Sequence, residues 1–325
     1  MSLLCVELGL RLAGFEPRVL RPNPFFIENS DTTWSVPDTD LGWVNKPGVA
    51  ISIEEGNAPM TFWSGGRRAM RATEAPPDSA LDVLIAGGSN AQSYGVADED
   101  AFGYRLGRMF PDIRFENFGT GGYSTVQALM LSQRILEPFY GDSPPDLIVL
   151  TFADSHIARN VSDQTWVYSI ADSQGRYISP PHYRLSGGAL AFEPFRTISP
   201  WPAETASALL TILHHVWLQS VRYNTSAQGM EVTRAMMSRF AEFASVQGSD
   251  FLVVVLEDYT AISSTVFAGT GIEVLDCSGY ERTAPQDYLL GGGSHPNAKL
   301  HAYFAVCIGA WLDDYVAGRA RSDKP

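Results

Sequence analysis

The chain has 325 residues, of which 45% are hydrophobic and 18% charged, with a formal net charge of -13. That length and apolar content supply the core of one large α/β domain with additions, or of two smaller domains, and exclude a disordered or coiled-coil chain. The acidic balance argues against nucleic acid and against a polybasic membrane contact. Cys5, Cys277 and Cys307 are far apart and form no C-x-x-C, so neither a disulfide framework nor a zinc knuckle is expected. Cys307 falls in an apolar helical pattern and reads as a buried small hydrophobe. Cys277 follows an expected strand and reads as buried or near a site.

Residues 1–14 are apolar but short, interrupted by Glu7 and Arg11. A spanning helix needs about 20 apolar residues. The stretch is the end of a longer membrane anchor or a short docking helix. Residues 15–80 carry prolines, glycines and tryptophans without a long periodic run, so turns and short strands are expected at Leu41–Gly48 and Ala50–Ile53. Arg67, Arg68 and Arg71 read as a solvated loop face, with contact to an anionic ligand as the alternative. Ala75-Pro-Pro-Asp78 is the expected connector into the main domain.

From residue 82 strands and helices alternate. Strands are expected at Val83–Ala86, Ile113–Phe118, Asp146–Phe152, Phe251–Leu256 and Gly271–Asp276. Helices are expected at Ala101–Phe110, from Ser124 to about Glu137, at about 204–220 and 229–247, and after His295. The last carries Leu300, Phe304, Cys307, Ile308, Trp311 and Tyr315 at helical spacing. This spacing predicts a parallel sheet covered on both faces, a three-layer α/β/α fold of flavodoxin-like order with about five strands. Residues 1–80 form an irregular extension and 81–320 the main domain. Residues 157–200 break the alternation and read as a long loop, a lid or a wall of a site. His214 and His215 are adjacent, so they point to different sides of a helix and read as ordinary surface or half-buried histidines. No metal and no cofactor are expected.

Two residues stand at junctions that carry chemistry. Ser89 directly follows the apolar strand Val83–Ala86 and the pair Gly87-Gly88. The carboxyl end of a parallel strand is where open α/β sheets bind ligands, and a helix start there offers free N–H groups. Ser89 is therefore a nucleophile or a plain N-cap. The glycines do not make a phosphate loop, because G-x-G-x-x-G fails and no Gly-Lys-Ser/Thr follows. His295 lies between a glycine-rich loop and a helix start, with Pro296 suited to the first turn. A histidine there acts as a general base toward a serine, or packs and caps.

These pieces resemble the SGNH (GDSL-type) hydrolases over about residues 80–318. The first block, usually Gly-Asp-Ser, reads Gly87-Gly88-Ser89. The second reads Asn117-Phe-Gly-Thr-Gly-Gly-Tyr-Ser-Thr125, and the fifth reads His295-Pro296-Asn297. Val6–Pro17 and Leu41–Gly48 look like leaders of membrane-anchored members. The third block, usually Gly-x-Asn-Asp, reads Ala153-Asp-Ser-His156.

The resemblance implies ester hydrolysis, with Ser89 as nucleophile and His295 as base, and a small-molecule or glycan ester as substrate. It implies oxyanion donors at the N–H groups of Ser89 and Gly122, with Ser155 in place of the absent asparagine and Asn160 as a more distant candidate. His156 ends the central strand and should face the site, to bind substrate or assist His295. The acid usually two or three residues before the histidine is Gly293 or Gly292; Asp287, Asp276 and Asp154 are the replacements considered. Three functions are compatible: a serine esterase such as a carbohydrate O-deacetylase, an acyltransferase with the same acyl-enzyme, and a non-catalytic carbohydrate-binding relative. The leader-like N-terminus points to the cell envelope, with attachment to a membrane. The missing signal peptide points to the cytoplasm.

Overall fold

The computed structural model describes residues 3–18, 20, 34–52, 57–79, 81–222, 226–257, 261–280, 287–291 and 295–322. Its centre is a five-stranded, all-parallel sheet built from β1 (Leu81–Ala86), β2 (Ile113–Asn117), β3 (Leu147–Phe152), β4 (Asp250–Val255) and β5 (Glu273–Asp276). The order across the sheet is β5-β4-β3-β1-β2. All six residues of β3 are buried, as expected of a central strand covered on both faces. Successive side chains leave a strand on opposite faces, and the core divides accordingly. Leu84, Ala86, Ile148, Leu150, Val253 and Val255 belong to one cluster, and Val83, Ile85, Leu147, Val149, Leu252 and Val254 to the other.

Ten helices are described, in chain order α1 (Leu3–Leu12), α2 (Ser89–Gln92), α3 (Phe102–Met109), α4 (Thr125–Tyr140), α5 (Ser155–Asn160), α6 (Gln164–Ser169), α7 (Ala208–Arg222), α8 (Ser226–Gln247), α9 (Ala261–Phe267) and α10 (Ala298–Ser322). Helices α4 and α8 cover the first face through Val126, Leu129, Val232, Met236 and Phe240. Helices α3 and α10 cover the second through Phe102, Leu106, Leu300, Phe304, Ile308 and Leu312. The architecture is three-layer α/β/α with flavodoxin-like strand order.

The stretch 157–200 is not a loop. It carries most of α5, all of α6, and two antiparallel strand pairs, Tyr177–Ser179 with Arg196–Ile198 and His182–Ser186 with Ala189–Glu193. Periodicity over three to five residues was too short to be seen, yet Ile170 and Ile178 join the first core cluster. His214 is fully buried and not a surface residue, because its Nδ1 meets the buried Glu204 carboxylate. His215 instead packs edge-on against Tyr168.

The extension is bonded into the domain. Leu41 and Trp43 are fully buried in the first core cluster. Trp43 Nε1 donates to the Gly121 carbonyl at 2.8 Å, and Gln127 Nε2 donates to that of Leu41 at 2.8 Å. Ile53, the end of one expected strand, lies outside the described residues; the strand Gly48–Ser52 pairs with Ala58–Phe62. Helix α1 docks by polar contacts. Glu7 accepts from the N–H groups of Ala208 and Leu209 at the start of α7, and Leu3, Leu4, Leu8 and Leu12 stay exposed. No helix among the described residues is long and apolar enough to cross a membrane.

Two further expectations are overturned. First, Cys277 and Cys307 are joined in a disulfide. Residue spacing alone does not show that the end of β5 and the middle of α10 lie side by side. Second, Arg67 and Arg68 are buried rather than solvated. Arg67 pairs at 2.7 Å with Glu116, itself fully buried in β2, and Arg71 and Arg114 reach the same carboxylate at 3.4 and 3.1 Å. Arg68 pairs with Asp98 and donates to the carbonyls of Gln92 at 3.1 Å and Val96 at 3.0 Å. Arginine forks of this kind are costly to desolvate and hold only where carboxylates and carbonyls satisfy them.

Two stability measurements follow from these contacts. The disulfide closes a loop between residues 30 apart, so the Cys277→Ser/Cys307→Ser double variant should lose about 3–4 kcal/mol in urea unfolding. Reductant should do the same to the parent and nothing to the variant. Arg68→Met should lose about 3–5 kcal/mol, the range for breaking a buried pair while leaving its carboxylate behind. A loss under 1 kcal/mol would show that the guanidinium is dispensable.

Candidate active site

The strand order reverses between β1 and β3, and the carboxyl ends of these strands are where an open α/β sheet binds ligands. A cleft of about 230 Å³ lies there, lined by residues that follow both strands and by two from further along the chain, Glu257 and His295. It is small beside typical ligand pockets.

Ser89 opens α2, one turn after β1. The turn needs glycine. Gly87 has φ +149°, and a Cβ there would overlap Thr151 Oγ1 in β3. Gly119 must also lack a side chain, because a Cβ would overlap the backbone of Ala91 and Gln92. The α2 backbone thus lies directly on the loop after β2. The N-cap residue Gly88 has no side chain to satisfy the helix start, so the N–H groups at this end depend on other partners.

His295 arrives from 206 residues away, and its Nε2 stands 3.1 Å from Ser89 Oγ. Its carbonyl accepts from Leu290 N at 2.8 Å. Asn297 caps α10, with Oδ1 accepting from Lys299 N at 3.0 Å and Leu300 N at 3.2 Å. The ring packs edge-on against Tyr94, centroids 4.8 Å apart. A serine hydroxyl within hydrogen-bond reach of an imidazole is the arrangement that activates a nucleophile.

His156 forms the wall behind Gly88. Its Nδ1 lies 3.4 Å from Thr125 Oγ1, at the start of α4, and its Nε2 lies 3.0 Å from where a Gly88 Cβ would be. The capping box of Ser124 and Gln127 fixes that helix start. Burial, with help from the neighbouring Arg159, pulls the His156 pKa down to about 3, so the ring is neutral at pH 7. The aspartate expected in the first block is therefore replaced by a glycine whose side-chain space adjoins a neutral imidazole.

The other sequence-chosen residues divide. Ser155 lines the cleft but is exposed, at its rim. Gly122 is buried with φ +77° and does not line the cleft. Asn160 is turned away: Oδ1 accepts from Val126 N at 3.2 Å and Nδ2 donates to Thr233 Oγ1 at 3.0 Å, tying α5 to α4 and α8. Asp154, Asp276 and Asp287 are all absent from the lining. Asp276 accepts from Ser278 N and Oγ in a local turn. Gly292 and Gly293 lie outside the described residues.

Five lining residues escaped the sequence reading: Asn90, Thr151, Phe152, Arg159 and Glu257. Glu257 accepts from Asn90 Nδ2 at 2.8 Å. It sits just past β4, so the strand-end rule that selected Ser89 also selects it. Arg159 is three residues after His156 on α5, the spacing that puts two side chains on one helix face.

No model of a known protein family matches the chain, and no curated protein does. Similar solved structures exist at low identity. The esterase EstA from Pseudoalteromonas sp. is 11% identical with a TM-score of 0.39, over 72% of this chain and 99% of that one. A lipolytic protein of the G-D-S-L family from Veillonella parvula is 15% identical with a TM-score of 0.36, over 70% and 96%. The acetylxylan esterase Axe2 from Geobacillus stearothermophilus is 11% identical with a TM-score of 0.38, over 71% and 93%.

His156 and His301, two of the buried histidines, both have pKa values lowered to about 3 by burial. In the unfolded chain each titrates near its ordinary 6.5. Above that pH both states are neutral and nothing is lost. Below it the unfolded chain binds protons that the folded chain refuses, so stability falls as pH drops from 6.5 toward 3. Each imidazole contributes a slope of up to about 1.4 kcal/mol per pH unit. Urea midpoints at pH 6.5, 5.5 and 4.5 should show this loss, and His301→Phe, which keeps the stacking on Phe102, should reduce it.

Proposed function

We propose that this chain is a serine ester hydrolase of the SGNH type, acting on short-chain esters. One observation carries the proposal: the 3.1 Å approach of His295 Nε2 to Ser89 Oγ at the switch point of the sheet. His295 takes the hydroxyl proton as Ser89 Oγ attacks the acyl carbonyl. The tetrahedral oxyanion is held by the Ser89 N–H and by an N–H of the neutral His156, whose ring lies beside Gly88. Collapse expels the alcohol, which receives the proton from His295, and leaves an acyl-enzyme. Water then attacks with the same histidine as base and releases the acid.

The size of the cleft supports an acetyl or similarly short acyl group. A carbohydrate O-acetyl ester is the substrate class we infer, because the polar side chains of Asn90, Ser155 and Glu257 line the cleft beside Ser89.

Ser89→Ala and His295→Ala should each lower kcat on p-nitrophenyl acetate by about 10³-fold or more, with urea midpoints unchanged. A fluorophosphonate should form an adduct that peptide mass analysis locates at Ser89. Parent-like rates in both variants would remove Ser89 and His295 from the chemistry.

A further inference from the structure

Among the described residues, Arg159 is the only Lys or Arg lining the cleft, and it is mounted differently from the buried Arg67 and Arg68. Arg67 and Arg68 are each ion-paired with a carboxylate. Among the described residues, no carboxylate lies within ion-pairing distance of Arg159. Its contacts are a 3.3 Å hydrogen bond from one guanidinium nitrogen to the Tyr123 carbonyl and the face of Trp166, whose ring centroid is 4.6 Å away. Burial pulls its pKa down to about 10, with Glu257 acting against this through space. A guanidinium stays charged at pH 7. Arg159 is half-buried in the cleft wall, so an anion entering the cleft meets a cation held in place and only partly screened by water.

The position of this charge is specific. The nitrogen that bonds Tyr123 is 3.7 Å from where a Cβ of Gly88 would be, and Gly88 precedes Ser89 directly. An anion held by Arg159 therefore lies beside the ester under attack. The face of Trp166 lies against the guanidinium, and a guanidinium fork suits a planar, two-oxygen acceptor.

We propose that Arg159 is an anion anchor and that the ester cleaved here carries a carboxylate close to the scissile bond. The proposal rests on Ser89 as nucleophile and adds the charge class of the substrate. Glu257, the only acidic residue of the lining among the described residues, is bonded to Asn90 and sets a limit on how many negative charges the cleft accepts.

Four probes test it. Mono-p-nitrophenyl succinate carries a carboxylate on the acyl side, with p-nitrophenyl butyrate as its neutral counterpart. 3-Acetoxybenzoate carries one on the alcohol side, with phenyl acetate as its counterpart. At low ionic strength, one anionic probe should exceed its counterpart in kcat/KM by about 10- to 100-fold, the range of a charge-assisted hydrogen bond. Arg159→Gln should abolish that ratio, Arg159→Lys should restore part of it, and Glu257→Gln should raise it. Ratios within one variant are insensitive to a general loss of folded enzyme. Equal kcat/KM for both members of both pairs in the parent overturns the proposal, as does a preference that survives in Arg159→Gln. Fluorophosphonate labelling at Ser89 reports separately on the nucleophile. If Ser89 proves inert, calorimetric titration of the two anionic probes onto the parent and Arg159→Gln decides the matter: binding lost in the variant supports the anchor, and equal or absent binding overturns it.

Discussion

The presentation of Ser89 depends on a buried arginine beneath it. Arg68 lies under the turn that ends α2 and holds the carbonyls of Gln92 and Val96, with Asp98 as its counter-charge. That turn includes Ser93 in the left-handed region at φ 55°, a conformation costly for a residue with a side chain and kept only where neighbours fix it. Asn45 and Asn117 complete the clamp. Gln92 Nε2 donates to Asn45 Oδ1 at 2.7 Å, and Asn117 Nδ2 donates to the Ala91 carbonyl at 2.7 Å. The irregular extension thus reaches the site through its polar groups, and the short helix that carries Ser89 is fixed from below instead of by its own length.

The second constraint is the packing of backbone on backbone. Gly87 and Gly119 leave no room for a Cβ, so β1, β3 and the loop after β2 approach closely around α2. On the other flank, His295 precedes the capped start of a 25-residue helix that lies along the sheet. The disulfide from the end of β5 holds that helix at Cys307, more than two turns below its cap. One wall of the cleft is set by glycine and arginine, and the other by a helix cap and a covalent link. The serine and the imidazole belong to different walls, which is why their separation depends on the whole sheet.

The cleft departs in a connected way from the SGNH pattern that the sequence resembles. Where an aspartate is usual, Gly88 leaves space that His156 fills, and Arg159 stands on the same face of α5. Burial keeps His156 uncharged beside that cation. The result is a wall of donors with one acid opposite, whereas the usual arrangement carries an acidic residue next to the serine. Substitutions that look in isolation like losses of function act together as a change in the polarity of one surface.

The strand positions, the sheet type and the pair Ser89 and His295 were legible in the sequence because they depend on local signals. Apolar runs bounded by glycine mark buried strands, and strand ends mark where ligands bind. The Cys277–Cys307 link, the burial of Arg67 and Arg68, the folded state of 157–200 and the turning of Asn160 toward Thr233 were not legible. Each depends on a partner 30 or more residues away, or on strands too short to show a period. Arg68 carries the same charge in the sequence whether it faces water or Asp98. A side chain's type is fixed by the chain, but its burial and its partner are fixed only when the layers close, because desolvation and pairing are properties of the assembled surroundings.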